Sequence, residues 1–256
     1  QLAAAAEEMA HGLAEAATPA RAIPRMHASH DLALALLPAR MAKRGQPIDL
    51  QFHGSLESLA SFAEGRCEIA GFHCPEGAAG ATLWQQYKPY LRPRQHMLIQ
   101  LAKRTQGIMV APRNPKKLRN VRDLAKPNVR FLNRQSGAGT RLLLDWMLRE
   151  NGIAARAIAG YDDVELTHSA VAAMIASGHA DAGLGVEAAA SQFGLGFVPL
   201  LKEDYLLVMR RELMRQPAFE ALLALLKGNG FRRAVRTLPG YDSSGSGTEV
   251  SPSSRG

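Results

Sequence analysis

The sequence predicts an α/β fold, and two observations carry that expectation. From about residue 24 to residue 210, short β-branched or apolar runs alternate with longer segments of helical period. The changes from run to helix pass through short turns of Ser, Thr, Asp or Gly, the residues that start helices. The length of 256 residues falls between one and two domains at roughly 150 residues each. A composition of 46% apolar, 21% charged and 6% aromatic residues is that of a globular chain able to bury its own core.

Taken in order, residues 2–17 place Leu2, Ala5, Ala6, Met9, Leu13 and Ala16 at helical spacing, and Pro19 and Pro24 close the segment. Apolar or β-branched runs predict strands at 48–52, 69–72, 108–110, 129–132, 182–186 and 205–209. Helical periods predict helices at 31–43, 56–64, 140–150, 169–177, 219–226 and 231–237. Residues 241–256 are rich in Ser and Gly without apolar periodicity, which predicts a disordered tail. No internal repeat is visible.

Charge and cysteine content narrow the function. Thirty-one basic against twenty-three acidic residues give a net charge of +8, a weak bias over this length that permits nucleic-acid contact without requiring it. Lys103, Arg104, Arg113, Lys116, Lys117, Arg119 and Arg122 form a run without an acid, which reads as a solvated face. Cys67 and Cys74 alone cannot build a disulfide framework or a four-cysteine zinc site, and a reducing cytoplasm fits them best. The longest stretch free of Asp, Glu, Lys and Arg, residues 166–180, is fifteen long and too short to span a membrane. Gln1 in place of Met, with Glu7 and Glu8 as the first charges, leads us to expect a segment of a longer protein and not an export signal.

One chemical feature recurs. Four expected helices are entered through turns holding Ser29, His30 and Asp31, then Gly54 and Ser55, then residues 135–141, then Thr167, His168 and Ser169. The first turn of a helix leaves N–H groups unpaired and carries the positive end of the helix dipole, so it attracts anions. Ser or Asp at such a place also serves as an ordinary cap. The run Gln135-Ser136-Gly137-Ala138-Gly139-Thr140-Arg141 holds more than a cap needs: two glycines, two hydroxyls and an arginine. It lacks the lysine of a P-loop and the third glycine of a dinucleotide fingerprint, so nucleotide hydrolysis is not expected. Serine-nucleophile elbows and His-Glu-x-x-His are missing as well. His73 beside Cys74 lacks the spacing of a zinc site, and no metal or other cofactor is expected.

Residues 133–145 (NRQSGAGTRLLLD) resemble a ligand domain of the periplasmic-binding-protein-like kind. That domain is found behind DNA-binding domains in bacterial regulators and is also fused to molybdenum-cofactor biosynthesis proteins. Residues 160–172, 177–185, 54–59 and 70–73 match further landmarks, so that the resemblance covers roughly residues 23–241. Ser136 and Ala138 depart from it, standing where the family often has a basic residue and a serine.

The resemblance implies a two-lobed type II fold with a ligand cleft between the lobes. Lobe 1 would comprise 20–104 and 203–240, lobe 2 would comprise 105–202, and residues 1–19 would form a linker helix. Ser29, His30 and Ser55 of lobe 1 would face Arg134, Ser136, Gly137, Gly139, Thr140, Arg141, Thr167 and His168 of lobe 2 around the ligand. No catalytic residue is assigned. The implied function is the sensor domain of a cytoplasmic transcription regulator that binds molybdate or tungstate. Such a regulator would be a homodimer, away from the membrane, reaching DNA through a helix-turn-helix domain ahead of this chain. Two alternatives are a solute receptor of a molybdate or tungstate uptake system and a protein, binding or enzymatic, for a pterin-like molybdenum-cofactor intermediate.

Overall fold

The computed structural model describes residues 23–251 and shows a curled, ten-stranded mixed sheet with helices on both faces. The expected linker helix at 1–19 lies outside the described residues. Three short parallel strands, β1 (Arg25–Ala28), β2 (Asp49–Phe52) and β3 (Ile69–Pro75), open the sheet in the order β2-β1-β3. They are joined by α1 (Leu37–Ala42) and α2 (Ser55–Ala63), and α3 (Gly77–Tyr87) follows. The long β4 (His96–Val110) then leaves this half of the molecule for the other.

The second half repeats the plan with β5 (Phe131–Arg134), α4 (Gly139–Glu150), β6 (Val164–Glu165), α5 (His168–Ala176), β7 (Ala182–Val186) and α6 (Glu187–Gln192). The chain returns along β8 (Gly196–Arg210) and closes with α7 (Pro217–Lys227), α8 (Asn229–Arg236), β9 (Tyr241–Asp242) and β10 (Glu249–Val250). β4 and β8 run antiparallel side by side for their whole length, with register irregularities between Gln100 and Ala102 and between Gln106 and Gly107. Around them the molecule forms two lobes, β2-β1-β3-β8-β4 in the first and β8-β4-β7-β5-β6 in the second.

Burial separates the lobes in the same way. Leu59, Phe62, Phe72, Trp84 and Leu206 form a core under the first, and Ile108, Leu124, Phe131, Leu143 and Leu184 form one under the second. A third cluster lines the other face and draws on both, from Met26 and Leu37 to Val171 and Ile175. Each such side chain removed from water contributes about 1.5–3 kcal/mol, which is what sets the helices against the sheet.

Several expectations need correction. The helix read at 31–43 is an α-helix only over Leu37–Ala42, after a 3-10 turn at Leu34–Leu36, and the strand read at 129–132 runs over Phe131–Arg134. The strands read as 108–110 and 205–209 are each fifteen residues long, because Lys103, Arg104, Glu203 and Asp204 interrupt the apolar pattern and sit opposite one another in the ladder. Helices α3 and α6 were not expected; their Gly- and Ala-rich sequences lack an apolar period, and burial against the sheet orders them. The segment read as a disordered tail is ordered from Tyr241 to Ser251, with Ser243 and Ser246 fully buried. The Ser246 hydroxyl donates to the Leu101 carbonyl, and the Ser243 hydroxyl donates to that of Arg232 at 3.0 Å. A side chain on Gly245 would strike the Gln100 amide, so small polar residues are what this strap requires.

Candidate functional site

In lobe 1 the carboxyl ends of parallel strands deliver the polar groups, which is where open α/β sheets place ligands. β1 ends at Ala28 and is followed by Ser29 and His30; β3 carries His73; α2 begins at Ser55 after Gly54. The Ser55 hydroxyl donates to that of Ser29 at 3.2 Å and receives the His73 N–H at 3.5 Å. Ser29 is anchored on both sides, its N–H to the Gly71 carbonyl at 3.0 Å and its carbonyl to the Tyr205 hydroxyl at 2.6 Å.

Lobe 2 offers Arg134 at the end of β5, the turn 135–138, and Gly139 and Thr140 at the start of α4. It adds His168, the first residue of α5, which Thr167 caps by accepting the Ala170 N–H at 3.0 Å. The lobes meet here, glycine against glycine. A Cβ on Gly54 would lie 2.5 Å from the Gly137 carbonyl oxygen, and one on Gly139 would lie 2.7 Å from the His73 ring and 3.1 Å from the Ser55 hydroxyl. Gly137 itself has a φ of +80°, a conformation glycine adopts at no steric cost.

The crossing strands supply the floor. Arg104, fully buried, pairs with Asp31 and Glu203, also buried, and its terminal nitrogen is 3.0 Å from the His73 ring. The second oxygen of Asp31 accepts the Tyr241 hydroxyl at 2.7 Å, while the first caps the turn after β1 through Ala33 and Leu34. Burial alone would make Arg104 easier to deprotonate, but the two carboxylates hold its pKa above the ordinary value. Burial pushes Glu203 the other way, up from the usual carboxylate range against the pull of Arg104. From β4, Gln106 is hydrogen-bonded to the Thr140 hydroxyl at 2.7 Å, tying the crossing to α4.

Arg134 has no such company. It is 4% exposed, and its guanidinium donates to the neutral Gln135 side chain and to the Leu166 carbonyl at 2.8 Å. No ion pair reaches it among the described residues; burial and then the charge of Arg104 push its pKa down to about 10. Three histidines surround this charge. His30 and His168 approach from opposite lobes with ring centroids 6.3 Å apart. Both nitrogens of the fully buried His168 and Nδ1 of His30 are without hydrogen-bond partners. Burial foremost, then Arg134 for His30 and His168 and Arg104 for His73, hold all three below the ordinary histidine value. The array is donor-rich and buried, and among the described residues its Arg134 cation has no ion-pair partner.

Ser29, His30, Ser55, Arg134, Gly137, Gly139, Thr140 and His168 lie around this junction of the lobes. Ser136 and Arg141 do not join them. Ser136 is exposed on the outside of its turn. Arg141 turns away to pair with Asp145 and lies 4.1 Å from the centre of the Tyr161 ring. Thr167 spends its hydroxyl on the cap. Sequence reasoning missed Asp31 as a partner, Gln106 and Glu203, and it placed Arg104 in a solvated basic run that the structure contradicts at that residue. The available signal was that Arg104 lies two residues after Ala102, the end of a mostly apolar run from Leu98, and apart from the basic residues between Arg113 and Arg122. Among the described residues no cluster of His, Cys, Asp or Glu is arranged to hold a metal, and no helix is long and apolar enough to cross a membrane.

The PBP superfamily domain matches residues 39–227. The chain is 29% identical over 218 residues to the uncharacterized protein YvgK of Bacillus subtilis (strain 168), covering 85% of this chain and 70% of that one. It is 38% identical over 110 residues to an uncharacterized protein in the ferredoxin 2Fe-2S gene 5′ region of Clostridium pasteurianum, covering 43% of this chain and 97% of the other. Among solved structures, an ABC-type phosphate transport receptor from Vibrio cholerae aligns with a TM-score of 0.58 at 13% identity, over 86% of this chain and 99% of that one. A putative phosphate ABC transporter substrate-binding protein with bound phosphate, from Clostridium perfringens, gives 0.57 at 13% identity over 84% and 96%. At such identities the likeness is one of fold.

Proposed function

This chain belongs to the PBP superfamily, and from that premise we propose that it is a ligand-sensing domain whose lobes close on one small oxyanion. The observation that carries the reading is Arg134. A buried guanidinium without a carboxylate is costly unless a ligand brings the negative charge. Thr140, whose hydroxyl accepts from Gln106, and Ser29, oriented by Ser55, supply further donors with the starts of α2, α4 and α5, from several directions as a tetrahedral ion needs. The glycine contact across the cleft favours an ion over a pterin-sized ligand. Binding, not catalysis, is the role that these groups serve.

The anion we assign is molybdate or tungstate, and the setting is the sensor of a cytoplasmic, dimeric transcription regulator with a helix-turn-helix domain ahead of this chain. The motif resemblance at 133–145 supports both assignments. A phosphate receptor is the second reading, favoured by the unpaired buried Oε1 of Gln106, an acceptor that a protonated phosphate can use.

A thermal-shift panel tests them. A ligand at one hundred times its Kd adds about 2.7 kcal/mol to stability, a rise of a few degrees at this size. Stabilisation by molybdate and tungstate, with much less from sulfate and phosphate, is the expected outcome. A shift with phosphate alone moves the assignment to the second reading, and silence with every oxyanion overturns the oxyanion site.

A further inference from the structure

We propose that the cleft takes its oxyanion together with one proton, held between the anion and the His168 ring, so that binding is coupled to proton uptake. The inference rests on the oxyanion reading above and adds to it the charge state in which the ion is held.

The first support is a count of charges. Arg104 and Arg134 are the buried cations of the cleft, and Asp31 and Glu203 are its buried carboxylates. They cancel, two against two, while Tyr205 and Tyr241 are kept neutral by burial, which raises both hydroxyls well above their ordinary value. A dianion entering this site adds two negative charges to a buried, neutral set, and an uncompensated buried charge is strongly disfavoured. One proton removes half of that excess.

The second support is geometry. His168 is fully buried at the start of α5 with neither ring nitrogen paired, and His30 faces it from the other lobe with its own Nδ1 unpaired. A neutral imidazole has one donor and one acceptor, whereas an unprotonated oxyanion offers acceptors only. With the added proton both nitrogens of His168 donate. If the proton stays on the anion instead, that O–H donates to the ring, and the stoichiometry is the same.

The groups that face His168 also explain why the proton arrives with the ligand. After burial, Arg134 on β5, Arg104 on β4, His30 from the turn after β1 and His73 on β3 all disfavour a charged ring, and so it is neutral without the anion. A dianion placed against Arg134 reverses that field. The sign follows: between the low pKa of the free site and the raised pKa of the complex, binding takes up a proton, so affinity falls as pH rises, by up to about tenfold per unit. Below the free-site pKa the ring is charged beforehand and the dependence vanishes.

Isothermal titration of the whole chain with molybdate, tungstate and sulfate, none of which carries a proton near neutrality, decides it. Each titration is run between about pH 6 and pH 8 in two buffers of different protonation enthalpy. We expect uptake approaching one proton per anion, weaker binding at higher pH, and loss of both in His168→Asn, with His168→Gln as the second variant. Binding without proton uptake overturns the inference and leaves the oxyanion site standing, and so does uptake that persists unchanged in a folded His168 variant. Absence of binding by all three anions and by phosphate removes the oxyanion site and the inference with it.

Discussion

Arg104 and Arg134 lie in the same cleft, equally hidden from water, and are held by opposite means. Arg104 sits on β4 where the chain crosses between lobes, opposite Glu203 in the ladder and against Asp31, so its charge is answered within the fold. Arg134 sits at the end of a short strand in lobe 2 with only neutral acceptors and a cation for neighbours. Burial alone therefore does not distinguish a structural arginine from a binding one; the presence or absence of a resident carboxylate does. On the proposed reading, the first ties the crossing strands to lobe 1 whether or not anything is bound, and the second is stabilised when an oxyanion arrives.

That contrast can be broken by experiment. The largest effect is expected for Arg104→Met, which leaves Asp31 and Glu203 buried together without a cation and should lower ligand-free stability by about 3–5 kcal/mol in denaturant unfolding. A loss below about 1 kcal/mol would mean that the two arginines are alike. Next comes Arg134→Gln: oxyanion affinity in isothermal titration should drop by about 2–4 kcal/mol, while the melting temperature without ligand holds or rises, because an unanswered buried charge has gone. Destabilisation without ligand comparable to that of Arg104→Met is the result that sinks the distinction.

Smaller changes sharpen it at the hydroxyls. Ser29→Ala and Thr140→Ala should each weaken binding by about 1–3 kcal/mol, the range for leaving a charged partner without its hydrogen bond. Ser136→Ala, four residues before Thr140 in the same turn but exposed, should stay within about 0.5 kcal/mol of the parent in both binding and stability. Equal losses at Ser136 and Thr140 would show that the turn binds its ligand on its outer side.

The sequence by itself determined the alternation of strands and helices, because hydrophobic period and capping residues are local signals. Ala182–Val186 was legible to the residue, and α4 and α5 to within one at their starts. It also pointed to the polar residues that build the cleft, Ser29 after a strand and Ser55, Thr140 and His168 at helix starts, since each marks itself by lying next to an apolar run. What only the tertiary structure decided is which of these polar groups are answered and by what. Arg104 reads locally as one more member of a basic run, and Arg134 and Arg141 read alike as arginines flanking a glycine turn. Asp31 is seventy-three residues from Arg104, and Glu203 ninety-nine. Tyr241, from a segment that composition marks as disordered, completes the same cluster. A charge is compensated by whatever lies within a few ångströms in space, and sequence distance carries no information about that until the sheet is folded.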